Sequence, residues 1–345
     1  LLLIVLGLLY VEKWILAKKL VIMACIVSAL LILPSLSYLN SRESKLRLQE
    51  VSIFTNLKIL ETSNERIARS GNTLFARVFH NRRVAYVREF LIHYVDHFRF
   101  GFLFISGDQN PRLSIQEVGE LYLINVPFLF LGLYALFKKR SRDSLLLLSW
   151  MLIMPIPAGV ARETPHALRI VSMLPVPQII IALGLSQFLS VIRKEHRKIA
   201  LGFYGGLLSL NILFYLHQYY VHYPSIWSGE WQYGYKEMIQ KISKIQDSYD
   251  HVVITNSLGR PYIYLLFYQK VRPVDFWQKR DANRDWAGLW TVYGYDKFRF
   301  NIADAQGLEG KKLLVGKPGE IPDSAKIIDE VRQLNGEIVF QIAEL

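Results

Sequence analysis

The chain lacks most of the features that mark a covalently braced or familiar soluble catalyst. Its single cysteine, Cys25, excludes an intrachain disulfide; lying within an apolar run, it reads as a small buried residue. No phosphate loop, dinucleotide fingerprint, metalloprotease helix or Gly-x-Ser-x-Gly elbow is present, which removes the nucleotide-dependent and hydrolytic chemistries those motifs carry. Internal repeats and low-complexity runs are also missing. Acidic residues are scarce, 29 against 41 Lys and Arg, for a net charge of +12. That excess does not point to nucleic acid: the densest basic clusters abut apolar runs, where anchoring at a cytoplasmic membrane face explains them, and no nucleic-acid-binding motif accompanies them. The first residue is Leu1 rather than Met, with neither a basic leader nor a small-residue cleavage site, so the chain is expected to be truncated inside a helix.

What is abundant is apolar surface. The composition is 52% hydrophobic and 13% aromatic, with a mean hydropathy of +0.20, and the apolar residues concentrate at 1–11, 20–39, 119–137, 144–160, 170–192 and 199–219. A span needs about 20 apolar residues. The expected fold is therefore an α-helical polytopic membrane bundle of about six spans, the first incomplete, followed by a small extracytoplasmic α/β domain. Transmembrane helices are expected at 1–39, an extracytoplasmic loop with interfacial helices at 40–118, four further membrane helices at 119–220 and the α/β domain at 221–345. Three basic clusters set the orientation: Lys13, Lys18 and Lys19; Lys138, Lys139, Arg140 and Arg142; and Arg193, Lys194, Arg197 and Lys198. Cytoplasmic loops carry such excess. Segments 40–118 and 161–169 and the tail then face outward, in a multi-pass protein of the plasma (inner) membrane.

Pro155 with Pro157, and Pro175 with Pro177, flank the same short outer loop. Each removes a backbone donor, which predicts either plain kinks or helices broken around a cavity. In the tail, Tyr219, Tyr220, Tyr223, Trp227 and Trp231 suit a membrane interface. Beyond them the spacing predicts a helix over 235–248, a buried strand over 251–255, a helix over 261–269, and a hairpin turning at Asn335-Gly336.

Two outer loops hold the residues with chemical potential. In the first, Ser106-Gly107-Asp108-Gln109-Asn110-Pro111-Arg112 and then Glu120 form an Asx turn by default, while Asp108 or Glu120 can alternatively contact a sugar or metal. In the second, Arg162, Glu163, His166 and Arg169 concentrate charge at the membrane boundary, where it is costly unless paired or used. Guanidinium forks match phosphate oxygens and His166 can add a donor; interfacial snorkelling with ion pairs to Glu163 is the alternative. His93 and His97 share i, i+4 spacing, a weak metal signal on its own.

The run Phe104-Ile105-Ser106-Gly107-Asp108-Gln109-Asn110-Pro111-Arg112-Leu113-Ser114, followed by Gly119-Glu120-Leu121-Tyr122 at the head of an apolar helix, resembles the late outer loop of lipid-carrier-dependent glycosyltransferases. These are membrane enzymes of the C-type superfamily, akin to protein O-mannosyltransferases and aminoarabinose transferases. Pro165-His166-Ala167-Leu168-Arg169, Ile254-Thr255-Asn256 and Pro261-Tyr262-Ile263-Tyr264 look similar too, although Leu113 stands where related sequences would carry histidine. The resemblance implies inverting transfer of a sugar from a polyprenyl-phosphate donor to a protein, lipid or glycan acceptor on the outer face of a bilayer. It places the catalytic base in a first outer loop, expected upstream of Leu1, and leaves a divalent cation open as cofactor. Arg162, His166 and Arg169 would then hold the donor phosphate, with Asp108, Asn110, Arg112, Glu120 and Glu163 shaping the substrate cavity. The competing reading is a non-enzymatic membrane protein, either a lipid-linked sugar translocase or a cell-envelope assembly scaffold.

Overall fold

Six membrane spans do not form. The computed structural model describes residues 1–345 apart from Trp286, Ala287 and Leu289. Among the described residues one helix, the 33-residue Lys194–Ile226, is long and apolar enough to cross a bilayer; Ala167–Met173 and Val176–Val191, bent by 58°, would make a second if counted as one broken span. The other apolar stretches give helices of 8 residues (Leu2–Leu9), 15 (Lys18–Ile32), 14 (Val126–Lys139) and 12 (Arg142–Ile153). All fall short of the ~20 residues a hydrocarbon layer requires. The interruptions are local. Pro34 follows the end of Lys18–Ile32, Arg140 takes a left-handed conformation that ends Val126–Lys139, and Pro155 and Pro175 sit at the breaks on either side of the 161–169 loop. The expected polytopic bundle is thus replaced by short helices, and apolar content proves a poor guide to helix length.

The described residues divide into two units, Leu1–Gln218 and Tyr219–Leu345. In the first, Phe102, Leu103, Phe104, Leu121, Leu129, Ile170, Met173, Val176 and Ile180 form one buried cluster. Its centre is the crossing of Val126–Lys139 with Val176–Val191, made close by two glycines. A Cβ on Gly132 would lie 1.9 Å from the carbonyl oxygen of Ile180, and one on Gly184 would lie 1.8 Å from that of Phe128. Small residues permit such backbone approach where side chains cannot. Helices Leu2–Leu9, Lys18–Ile32 and Lys194–His217 bury no residue, and Cys25, expected to be buried, is exposed with them.

The second unit is built on a seven-stranded sheet. Its strands are β1 (His251–Ile254), β2 (Arg280–Arg284), β3 (Trp290–Tyr295), β4 (Phe298–Arg299), β5 (Lys312–Gly316), β6 (Lys326–Arg332) and β7 (Ile338–Glu344), in the order β2-β3-β4-β1-β5-β7-β6. Central β1 runs parallel to β4 and β5; the other pairings are antiparallel. Strand alternation sends Val252, Ile254, Leu313 and Val315 to one core, shared with Tyr235, Met238, Ile239 and Ile242 of the helix Tyr235–Ile245. Val253, Leu314 and Ala343 face a second, smaller core. A sheet covered on both faces explains why β1 is apolar throughout. The β6–β7 hairpin turns at Gly336, whose φ is +89°, a conformation favouring glycine. Both outermost strands, β2 and β6, pair with a shift in register and carry charged side chains along their length.

Candidate functional site

The loop 101–121 is held by its own side chains. Asp108 Oδ1 accepts from the Asn110 N–H at 2.8 Å, and Asn110 Oδ1 accepts from the Arg112 N–H at 3.0 Å, the two Asx turns its sequence favours. Ser114 Oγ donates to the Ser106 carbonyl at 2.9 Å, and Gln116 Nε2 donates to the Asp108 carbonyl at 2.5 Å. Gly119 lets the strand of chain leading to Glu120 lie against the Phe104 backbone, only 2.4 Å from where a Cβ would stand. The Leu121 N–H then donates to the Leu103 carbonyl at 2.7 Å.

The two loops singled out by sequence meet at Asp108. Its carboxylate is buried, and Oδ2 accepts from the Ala167 N–H at 2.7 Å with His166 Nδ1 at 4.0 Å. Burial, reinforced by the positive charge of Arg169, pulls the His166 imidazole below its ordinary value, against the opposing pull of Asp108 and Glu163. His166 Nδ1 is buried without a hydrogen-bond partner. Arg169 donates through Nη1 to the Glu163 carbonyl at 2.8 Å and lies 3.9 Å from the Glu163 carboxylate, which is itself largely exposed.

Arg162 is occupied elsewhere. Its Nε donates to the Ser52 carbonyl and its Nη2 to Thr55 Oγ1, both at 2.9 Å, while Ser52 and Ala161 pair as a short antiparallel bridge. It fastens the loop to the 49–55 segment rather than standing beside Asp108. Two neighbours add to the site: Asp96, which carries no sequence signal, and His97, marked in the sequence only by its spacing from His93. Asp96 accepts from Thr164 Oγ1 at 2.8 Å and pairs with Arg99 at 2.7 Å, so the 162–169 loop is pinned on both sides. His97 is fully buried, donates through Nδ1 to the His93 carbonyl at 2.8 Å and leaves Nε2 without a partner. His93 spends its Nδ1 on the Ala161 carbonyl at 2.7 Å. The i, i+4 histidines therefore turn one ring nitrogen each to backbone, and among the described residues no cluster of metal-ligating side chains occurs.

Beside Asp108 opens a cleft of about 380 Å³. It is lined by Leu103, Leu113, Leu168, Val171, Leu174 and other apolar groups, with Arg112 and Glu120 as its charged members. Glu120 is exposed overall, yet the protein around its carboxyl displaces enough hydration to push it up to about 7; the negative charge of Asp108 adds to this, and a hydrogen bond with the Asp108 backbone works against it. A carboxyl pushed upward, a guanidinium and a mostly apolar wall are thus set around one opening. Comparison with family models, with curated proteins and with solved structures returns no match, so function must be read from this geometry.

Proposed function

We propose that the cleft binds a polyprenyl-phosphate sugar and that the chain serves a membrane-associated glycosyltransferase acting at the outer face. The observation that carries this reading is that Arg112 and Glu120 both line a cleft whose wall is otherwise mostly apolar. A lipid-linked sugar phosphate needs all three: an apolar surface for isoprenoid, a cation for phosphate and a polar group near the sugar. In the transfer, the acceptor hydroxyl oxygen attacks the anomeric carbon and the bond from that carbon to the phosphate oxygen breaks. The polyprenyl phosphate leaves with the electron pair and the hydroxyl proton passes to a base. In place of the base that the resemblance sets upstream of Leu1, Glu120 would take that proton at neutral pH, its carboxyl being pushed up to about 7. Arg112 would stabilise the charge growing on the departing phosphate.

The test is binding of a short-chain polyprenyl phosphate to the full chain in nanodiscs. Arg112→Ala should weaken binding at least about tenfold, the loss expected for one charge-assisted contact of ~1.5–3 kcal/mol. Arg162→Ala should instead lower Tm, through the 49–55 segment. Unchanged binding by Arg112→Ala would remove the phosphate from this cleft, and binding without transfer to any acceptor would favour a translocase.

Orientation gives a second check. Arg193, Lys194, Arg197 and Lys198 cluster at the start of Lys194–Ile226, which predicts a cytoplasmic start and an outward second unit. With Cys25 replaced by serine, a cysteine introduced at Ser248 should react with an impermeant maleimide in intact cells. Labelling only after permeabilisation would reverse the topology.

A further inference from the structure

A larger cleft lies in the first unit away from Asp108, between the helices Leu57–Arg69 and Arg82–Asp96. Its volume is about 610 Å³, and its lining includes Lys58, Thr62, Arg66, His80, Arg88 and Glu89. Lys58, Thr62 and Arg66 are spaced four apart, so they form one stripe along their helix. Arg88 faces them from the second helix.

The charges do not cancel. Glu89, the one carboxylate in the lining, is 3.3 Å from His93 Nε2, and the acidic neighbour Glu65 is matched to Arg69 at 3.5 Å. Among the described residues, no carboxylate lies within salt-bridge distance of Lys58, Arg66 or Arg88. The floor is ordered: Ile59 and Ser63 are buried, and Ser63 Oγ donates to the His80 carbonyl. Asn56 Oδ1 accepts from the Lys58 N–H at 3.1 Å, which fixes the start of the stripe. Three like charges gathered around one concavity repel one another and focus a positive potential into it, an arrangement that an anion relieves.

We propose that this cleft is a second anion site that takes a phosphate ester, with Lys58, Arg66 and Arg88 meeting its oxygens and Thr62 supplying a hydroxyl donor. Guanidinium forks suit the paired oxygens of a phosphate or diphosphate, and the volume admits a group larger than phosphate alone. The same chemistry is offered by a phospholipid headgroup and by a soluble phosphate ester. The site stands independently of the transfer reaction.

The experiment uses the full chain in phosphatidylcholine nanodiscs, titrated with inorganic pyrophosphate, and in parallel nanodiscs containing phosphatidic acid. Wild type should bind at least one probe, with affinity falling as salt rises. Arg66→Glu combined with Arg88→Glu should weaken that binding by more than about tenfold, while Arg77→Glu, an exposed charge outside the cleft, should leave it unchanged at equal Tm. Pyrophosphate binding alone assigns a soluble ester, response to phosphatidic acid alone assigns a headgroup, and competition between them assigns one site to both. If neither probe binds, or if the double reversal and Arg77→Glu act alike, the cleft is not an anion site.

Discussion

Replacing Gly184 with leucine should prevent the first unit from reaching its native packing. A Cβ there would stand 1.8 Å from the Phe128 carbonyl oxygen and 2.8 Å from the Gly132 backbone nitrogen, and neither is the far end of a side chain that could swing aside. Relief requires the helices Val126–Lys139 and Val176–Val191 to separate, which would uncover Leu129, Val176 and Ile180. Overfilled cores ordinarily cost ~1–3 kcal/mol; a backbone-to-backbone clash with loss of the surrounding cluster should exceed that. Gly184→Ala should already lower Tm clearly. Gly202→Leu is the control, because nothing lies within 4 Å of a Cβ at that position. The measurement is thermal unfolding in nanodiscs across the three variants. Equal melting of Gly184→Leu and wild type would mean that the helices do not cross at their glycines.

Glu120→Gln should produce the second large effect, loss of transfer by ~10²–10⁴-fold with polyprenyl-phosphate binding retained, the range a positioned proton acceptor supplies. Wild-type turnover should rise with pH and level off above about 7, as the carboxylate form accumulates. Stability should move oppositely. Because folding raises this carboxyl from its ordinary 4.5 to about 7, the folded state holds the proton more tightly than the unfolded chain. The resulting contribution is complete below 4.5 and is lost as pH rises through 7. Glutamine mimics the protonated form, so Glu120→Gln should melt above wild type at pH 8.5 and close to it at pH 4. A variant whose turnover and melting follow the same pH course as wild type would show that another group titrates near neutrality.

Legibility from sequence differed between the units for physical reasons. The strand expected over 251–255 forms at His251–Ile254 and the helix expected over 235–248 forms at Tyr235–Ile245, since β-branched runs and i, i+3, i+4 spacing are local signals. Strand β2 was invisible because Arg280-Asp281-Ala282-Asn283-Arg284 has no apolar alternation; an edge strand with exposed side chains needs none. The membrane spans failed because hydropathy records which residues avoid water, whereas Pro34, Pro155, Pro175 and Arg140 decide where a helix stops. Asp108 and the 162–169 loop could be singled out one at a time, but the bond from the Ala167 N–H to Asp108 joins residues 59 positions apart. The commitment of Arg162 to Ser52 and Thr55 is more distant still. Contacts of that range leave no mark in spacing, and so neither the bonds of Arg162 to Ser52 and Thr55 nor the wall formed by Leu168, Val171 and Leu174 could be foreseen.

The irregular outer strands of the sheet bear on how copies of the chain behave when crowded. A straight, uncharged edge offers its unpaired N–H and C=O groups to any neighbouring strand, and ladders then grow from molecule to molecule. Here β2 presents Arg280, Asp281 and Arg284, and β6 presents Lys326, Asp329, Glu330 and Arg332, on strands whose register is shifted against their inner partners. An incoming strand would meet misaligned donors and charged side chains of both signs, several already paired within the unit, at either margin. Both ends of the sheet are therefore poor templates for ladder growth from one molecule to the next.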